Sequence, residues 1–176
     1  MRCFIGVPLP GKVKKALADI QAELGKEDAR MIFVKPQNMH ITLLFLGNVS
    51  DTSKIIESLS EVKFKKFNAS VSGVSYFPKH DYIRVIHSPI LSGKEELIAI
   101  YKKITAALQL NAEKYIPHIT LARVKFVKST NSLARACNSI QLNLSFLVNS
   151  INLYSSKLTS QGPVYKIIKS FKAIDF

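Results

Sequence analysis

Met39-His40-Ile41-Thr42-Leu43-Leu44-Phe45-Leu46 is a run of β-branched and apolar residues with two polar side chains set two apart. Its centre recurs in the second half of the chain as His118-Ile119-Thr120-Leu121. The chain has only four histidines. Two of them followed by Thr two positions on would arise in roughly 1% of shuffled chains, before the matched Ile and Leu are counted. On a strand, residues two apart face the same way. His40 and Thr42 are therefore expected on one face, with Ile41, Leu43 and Phe45 on the other. His118 and Thr120 repeat the arrangement, which predicts a duplicated lobe with the copies facing each other across a pseudo-twofold axis.

The rest of the chain reads as an alternation of short strands and fewer helices. Cys3–Val7 is a buried strand, and Val13, Leu17, Ile20 and Leu24 recur at helical spacing up to Gly25. Residues 31–34 form a short extended piece. Asp51 or Thr52 caps a helix carrying Ile55, Ile56 and Leu59, and Ser92 caps one carrying Leu97, Tyr101, Ile104 and Leu108. Strands are expected around Phe67–Ser75, Tyr82–His87, Tyr115–Val124, Ile140–Leu147, Val148–Tyr154 and Val164–Phe171, with a short helix near Leu133. This order predicts an α+β class with antiparallel sheets.

Composition sets the wider frame. At 176 residues and 47% hydrophobic, the chain suits one globular domain or two small lobes sharing a core. The net charge of +13 favours a polyanionic partner, nucleic acid first. Lys63, Lys65, Lys66, Lys102 and Lys103 form basic runs, either solvated faces or RNA-steering patches. Cys3 and Cys137 make no disulfide framework and no zinc signature. No apolar run reaches the roughly 20 residues of a membrane helix. The opening run is too short for a signal sequence, so a cytoplasmic location is expected.

Two opposed imidazoles suit hydrolysis of a phosphodiester. The neutral one takes a proton from water and the charged one gives a proton to the leaving oxygen, since both forms coexist near neutrality. The Thr hydroxyls donate to non-bridging phosphate oxygens. Zinc is a competing use of paired histidines, but neither His40 nor His118 has a second ligand at metal-binding spacing. His80 and His87 lack a Thr partner and read as surface or structural residues.

Val34-Lys35-Pro36-Gln37-Asn38-Met39-His40-Ile41-Thr42-Leu43-Leu44-Phe45-Leu46-Gly47 and Pro117-His118-Ile119-Thr120-Leu121-Ala122-Arg123-Val124 together resemble the two motifs of the two-histidine (2H) phosphoesterase superfamily. The branch they are most similar to is the RNA 2′,3′-cyclic phosphodiesterases, also called LigT-like or 2′-5′ RNA ligase proteins. Met1–Ile5, Leu153–Ser156 and Gly162–Tyr165 resemble that family's first strand and closing hairpin. The resemblance implies a single bilobal domain over 1–176, with two antiparallel sheets flanking a central cleft and helices outside. It implies hydrolysis of a terminal 2′,3′-cyclic phosphate on RNA to a 2′-phosphate, without metal or cofactor. His40 would be the proton donor and His118 the proton acceptor, with Thr42, Thr120 and Arg123 on the phosphate. Strict alternation puts Arg123 on the face away from His118, so a bulge or the strand's end is needed to return it. Phe45, Tyr76, Phe77 and Tyr154 are candidates for stacking on a base. A monomer is expected. Two alternatives stand beside this reading: 2′-5′ ligation of tRNA halves by the same histidines, and a non-catalytic RNA-binding module.

Overall fold

The computed structural model describes residues 1–174. Asp175 and Phe176, the end of the domain expected over 1–176, lie outside the described residues. The chain runs β1 (Arg2–Pro8), α1 (Gly11–Leu24), β2 (Ala29–Phe33), a 3₁₀ turn (Pro36–Asn38), β3 (His40–Asn48), α2 (Ser53–Ser60), β4 (Phe67–Ser72), β5 (Ser75–Lys79), β6 (Tyr82–Pro89), α3 (Lys94–Ala107), β7 (His118–Val127), α4 (Thr130–Ser139), β8 (Asn143–Val148), β9 (Ser150–Thr159) and β10 (Gly162–Lys172). The class is α+β, as the element order predicts.

Strands β3 and β7 carry the two motifs and lie antiparallel at the centre of an eight-stranded sheet. The path is β10-β9-β1-β3-β7-β6-β5, with β2 also on β7, and every pairing in it is antiparallel. Each motif strand therefore heads its own half-sheet. The halves join through one pair, Ile41 with Ile119. A separate two-stranded sheet, β4 with β8, completes the strands. No helix among the described residues is long and apolar enough to cross a membrane.

The apolar half of each motif anchors it. Ile41, Ile119 and Leu121 are 0% exposed and Leu43 is 2% exposed. Burying each such side chain contributes about 1.5–3 kcal/mol. Helix α1 packs on β7 and α3 on β3. The buried stripes Val13, Leu17, Ile20, Leu24 and Leu97, Ile100, Tyr101, Ile104 recur at helical spacing. Helices thus cover one side of each motif strand and leave the other open.

Several local expectations change. The extended piece before the first motif is a full strand, β2, because it pairs with β7 along Ala29–Phe33. The strand expected over Phe67–Ser75 is two, split at Gly73, whose φ of +61° turns the chain. β7 starts at His118 rather than Tyr115. Ser92 does not cap α3: its hydroxyl meets Ser70 Oγ at 2.7 Å, and the residue before the helix is Gly93 at φ +79°. A Cβ there would sit 3.0 Å from Ala69 and from the Asn68 carbonyl. Cys3 and Cys137 are buried and free.

Simple alternation also fails at one matched place in each motif. On β1, Ile5 pairs with Leu44 and Gly6 with Thr42, so Leu43 has no partner there. On β6, Ile86 pairs with Ala122 and His87 with Thr120, so Leu121 has none. Each is a β-bulge at the motif Leu, and a bulge shifts the following side chains to the opposite face. Phe45 therefore leaves the core side it was expected on and stands 70% exposed. Arg123, five residues after His118 as Phe45 is after His40, turns to the His/Thr face for the same reason. The β7 bulge is held from behind. The buried Gln21 of α1 donates Nε2 to the Leu121 carbonyl at 2.8 Å and to the Val34 carbonyl at 2.7 Å. Val34 N–H reaches the same Leu121 oxygen at 2.9 Å.

Replacing Gln21 by Leu leaves the Val34 carbonyl unsatisfied and strips the bulge of a donor. A loss of about 1–3 kcal/mol in urea unfolding is expected. An unchanged midpoint would show that the bulge needs no clamp.

Candidate active site

The two histidines are mounted in the same way. His40 Nδ1–H donates to the Asn38 carbonyl at 2.7 Å, and His118 Nδ1–H donates to the Ile116 carbonyl at 2.7 Å. A carbonyl oxygen only accepts, so Nδ1 carries hydrogen in both rings. Nε2 is left as the atom that gains or loses a proton. His40 Nε2 lies 2.9 Å from Thr42 Oγ1. Around the pair of Ile41 and Ile119, the antiparallel direction sets His40 opposite Thr120 and Thr42 opposite His118. Four polar groups thus surround one twofold-like point.

Neighbouring elements fix the rings. Asn38 is buried, and its Nδ2 donates to the Pro163 carbonyl at 2.7 Å, tying the first motif to the start of β10. Gly6 of β1 passes so close that a Cβ there would meet the Ile41 carbonyl at 3.0 Å and His40 Cδ2 at 3.1 Å. Phe4 lies 4.7 Å from the His40 ring, between stacked Tyr154 at 4.9 Å and edge-on Tyr165 at 4.8 Å. On the other side, Phe77 and His87 each place their ring centroids 5.2 Å from His118, edge to face. Phe77 and His87 stack on each other at 3.9 Å.

Burial lowers the pKa of His40 below the usual imidazole value, against the Asn38 bond and together with the charges of Lys14 and His118. Burial lowers His118 too, with Arg123 adding to the effect against the Ile116 bond. Both rings are therefore biased toward neutrality.

A cavity of 220 Å³ opens beside them. His40, Thr42, Thr120 and Arg123 line it together with Phe45, Tyr165, the Gln161–Pro163 turn and residues 32–35. His118 is not part of this lining and lies toward β6, opposite Pro89. A larger depression of 570 Å³ lies elsewhere, between Pro8–Lys12 and β8, with Lys12 its only ionisable group.

Most of the expected site residues thus meet in one place. Tyr76 does not: it sits one position out of phase with Phe77, packs partly buried on the core and faces His80 at 6.3 Å. Tyr154 is nearby but lies beneath Phe4 rather than along the cavity. His80 is exposed. His87 is not at the surface: it is 3% exposed, against His118, and neither ring nitrogen has a hydrogen-bond partner. Phe4, Tyr165, Asn38 and Gln21 carried no chemical signal in the sequence. Strand register brings Phe4 and Tyr165 to His40, the 3₁₀ turn sets Asn38 before it, and Gln21 reaches the second motif from α1. Among the described residues, no three His, Cys, Asp or Glu cluster closely enough to hold a metal ion.

The profile of the LigT-like phosphoesterases matches residues 7–87 and 91–165, one segment for each motif. The chain belongs to the LigT-like phosphoesterase family. Relatives named RNA 2′,3′-cyclic phosphodiesterase include that of Methanocaldococcus jannaschii, 30% identical over 97% of this chain and 100% of the relative. That of Aeropyrum pernix is 33% identical over 89% of this chain and 94% of the relative. Among solved structures, TT0787 of Thermus thermophilus aligns with a TM-score of 0.79 at 26% identity, covering 98% of this chain and 97% of that one. E. coli LigT aligns at 0.76 and 20% identity over 99% and 98%, which speaks to the shared LigT-like fold alone.

His87 supplies a test of the buried surroundings of this LigT-like site. Burial, then the charge of His118, pushes its pKa from 6.5 down to about 4. The unfolded chain takes up a proton at this residue below about pH 6.5, while the folded chain refuses it until about pH 4. Folded stability therefore declines as pH falls through that window. In His87→Leu, the urea midpoint should fall less between pH 6.5 and 4 than in the wild type. Equal slopes would contradict the burial of an unpartnered imidazole.

Proposed function

We propose that this chain hydrolyses the terminal 2′,3′-cyclic phosphate of RNA to a 2′-phosphate, with two imidazoles transferring the protons. The observation that carries the proposal is the matched pair of Nδ1-anchored histidines flanking Ile41 and Ile119. Two such groups, each left with Nε2 as the nitrogen that gains or loses a proton, are what in-line displacement at phosphorus needs. The relatives named RNA 2′,3′-cyclic phosphodiesterase support RNA 2′,3′-cyclic phosphate as the substrate. The surplus of cationic residues, 25 against 12 anionic, supports an RNA partner.

In this reading the domain spans 1–176, as two lobes with one motif each. Both imidazoles come from one chain, so a monomer suffices, and RNA ends in the cytoplasm are the substrate. Water attacks the cyclic phosphate while His118 Nε2 accepts its proton. The bond from phosphorus to O3′ breaks, and His40 Nε2–H delivers a proton to that oxygen. A 2′-phosphate and a free 3′-hydroxyl remain. Proton exchange with solvent then resets the two rings. Thr42 and Thr120 hydroxyls and the Arg123 guanidinium hold the non-bridging oxygens, where negative charge accumulates. Phe45 and Tyr165 line the space a base would occupy. The cycle uses no metal and no cofactor.

His40→Ala or His118→Ala should each lower kcat/KM on a cyclic-phosphate-ended RNA by about 10²-fold or more, with the fold retained. EDTA should leave the rate unchanged. Full activity in either variant sinks the proposal.

The pH profile is a separate check. Both histidines titrate below the ordinary 6.5 in the free protein. The bell in kcat/KM should therefore centre on the acid side of that value. A bound anionic phosphate favours charged His40, so the alkaline limb of kcat should lie higher than that of kcat/KM. A profile flat from pH 5 to 8 would contradict the two-imidazole assignment.

A further inference from the structure

The wall of β2 and β7 continues past the cavity. Ile32 pairs with Arg123, and Arg30 pairs with Phe126. Between these pairs the register shifts, because Met31 meets Val124 and Lys125 is left over. This bulge leaves Lys125 and Phe126 both on the outer face with Arg123. Met31, Val124 and Val127 turn to the core. Arg30, Ile32, Lys125 and Phe126 are exposed, and Ile32 also lines the cavity. Phe126 is 63% exposed and Ile32 56% exposed, two large apolar side chains in water beside two cations.

We propose that this ledge holds the nucleotide on the 5′ side of the cyclic-phosphate terminus, so that the protein distinguishes an RNA chain from a single nucleotide. The inference rests on the cyclic-phosphodiesterase reading above. Three features carry it. The ledge starts at Arg123, beside the expected phosphate, and extends about 7 Å along the strands, on the order of one nucleotide step. Phe126 offers an aromatic face for a base, while Arg30 and Lys125 offer charge for the connecting phosphate, the combination used for single strands. The carboxylates that flank the ledge are paired, Asp28 with Lys128 at 3.3 Å and Asp81 with Lys79 at 3.1 Å. Their repulsion of a phosphate is thereby reduced.

The test compares two substrates, a nucleoside 2′,3′-cyclic phosphate and a short oligoribonucleotide ending in the same group. Phe126→Ala is expected to lower kcat/KM about tenfold on the oligonucleotide and leave the mononucleotide rate unchanged. Arg30→Ala should do the same and reduce the slope of log(kcat/KM) against log salt by about one on the oligonucleotide only. Both side chains are exposed, so thermal melts should match the wild type. Equal losses on both substrates, or no loss on either, overturn the ledge while mononucleotide hydrolysis still stands for the parent reading. Absence of hydrolysis of both substrates by the wild type overturns both.

Discussion

One antiparallel pair, Ile41 with Ile119, holds the two halves of the sheet together, and the placement of the site follows from it. The pair buries both side chains completely, so it is set by the core and not by the polar residues around it. Once it is set, each histidine faces the other motif's threonine. A slip of one residue would send His40 and Thr42 into the core and Ile41 into water. The cost of that exchange, several kcal/mol of lost burial on each strand, keeps the His/Thr face in register. Chemistry and folding therefore share one constraint.

The bulges add what regular strands do not provide. A strand of perfect alternation offers a His and a Thr but turns the residue at His+5 away. The extra Leu in each motif corrects this, giving Phe45 in one half and Arg123 in the other. The duplication is thus structural while the contents differ: an aromatic on one side and a guanidinium on the other. The surroundings differ as well. His40 sits among Phe4, Tyr154 and Tyr165, and His118 sits against Phe77 and His87. Such unequal environments are the means by which two similar imidazoles acquire different proton affinities.

The fold class was legible in the sequence because its determinants are local. Period-2 runs, helical stripes such as Val13–Leu24, and a repeated four-residue motif each depend on neighbours in the chain. The histidine and threonine positions were legible for the same reason. What stayed hidden depends on pairing between distant strands. Nothing near Leu43 or Leu121 marks a bulge, so alternation alone puts Phe45 on the core face, and Arg123 needs an irregularity to reach the His/Thr face. His87 lacks a threonine two residues on and so reads as surface or structural, although β6 pairs it directly with Thr120 of the second motif. Tyr76 and Phe77 are adjacent and chemically alike, and only the register of β5 on β6 decides which one reaches His118. Gln21 lies one hundred residues from the carbonyl it holds.

The proposed role of the two imidazoles, directing water onto phosphorus and expelling O3′, is tested most directly by hydrolysis of a 2′,3′-cyclic-phosphate-ended oligoribonucleotide in ¹⁸O-labelled water, with the product resolved by regiochemistry and mass. The expected product is a 2′-phosphate carrying one ¹⁸O and a free 3′-hydroxyl. A 3′-phosphate product, or no label on phosphorus, would contradict it.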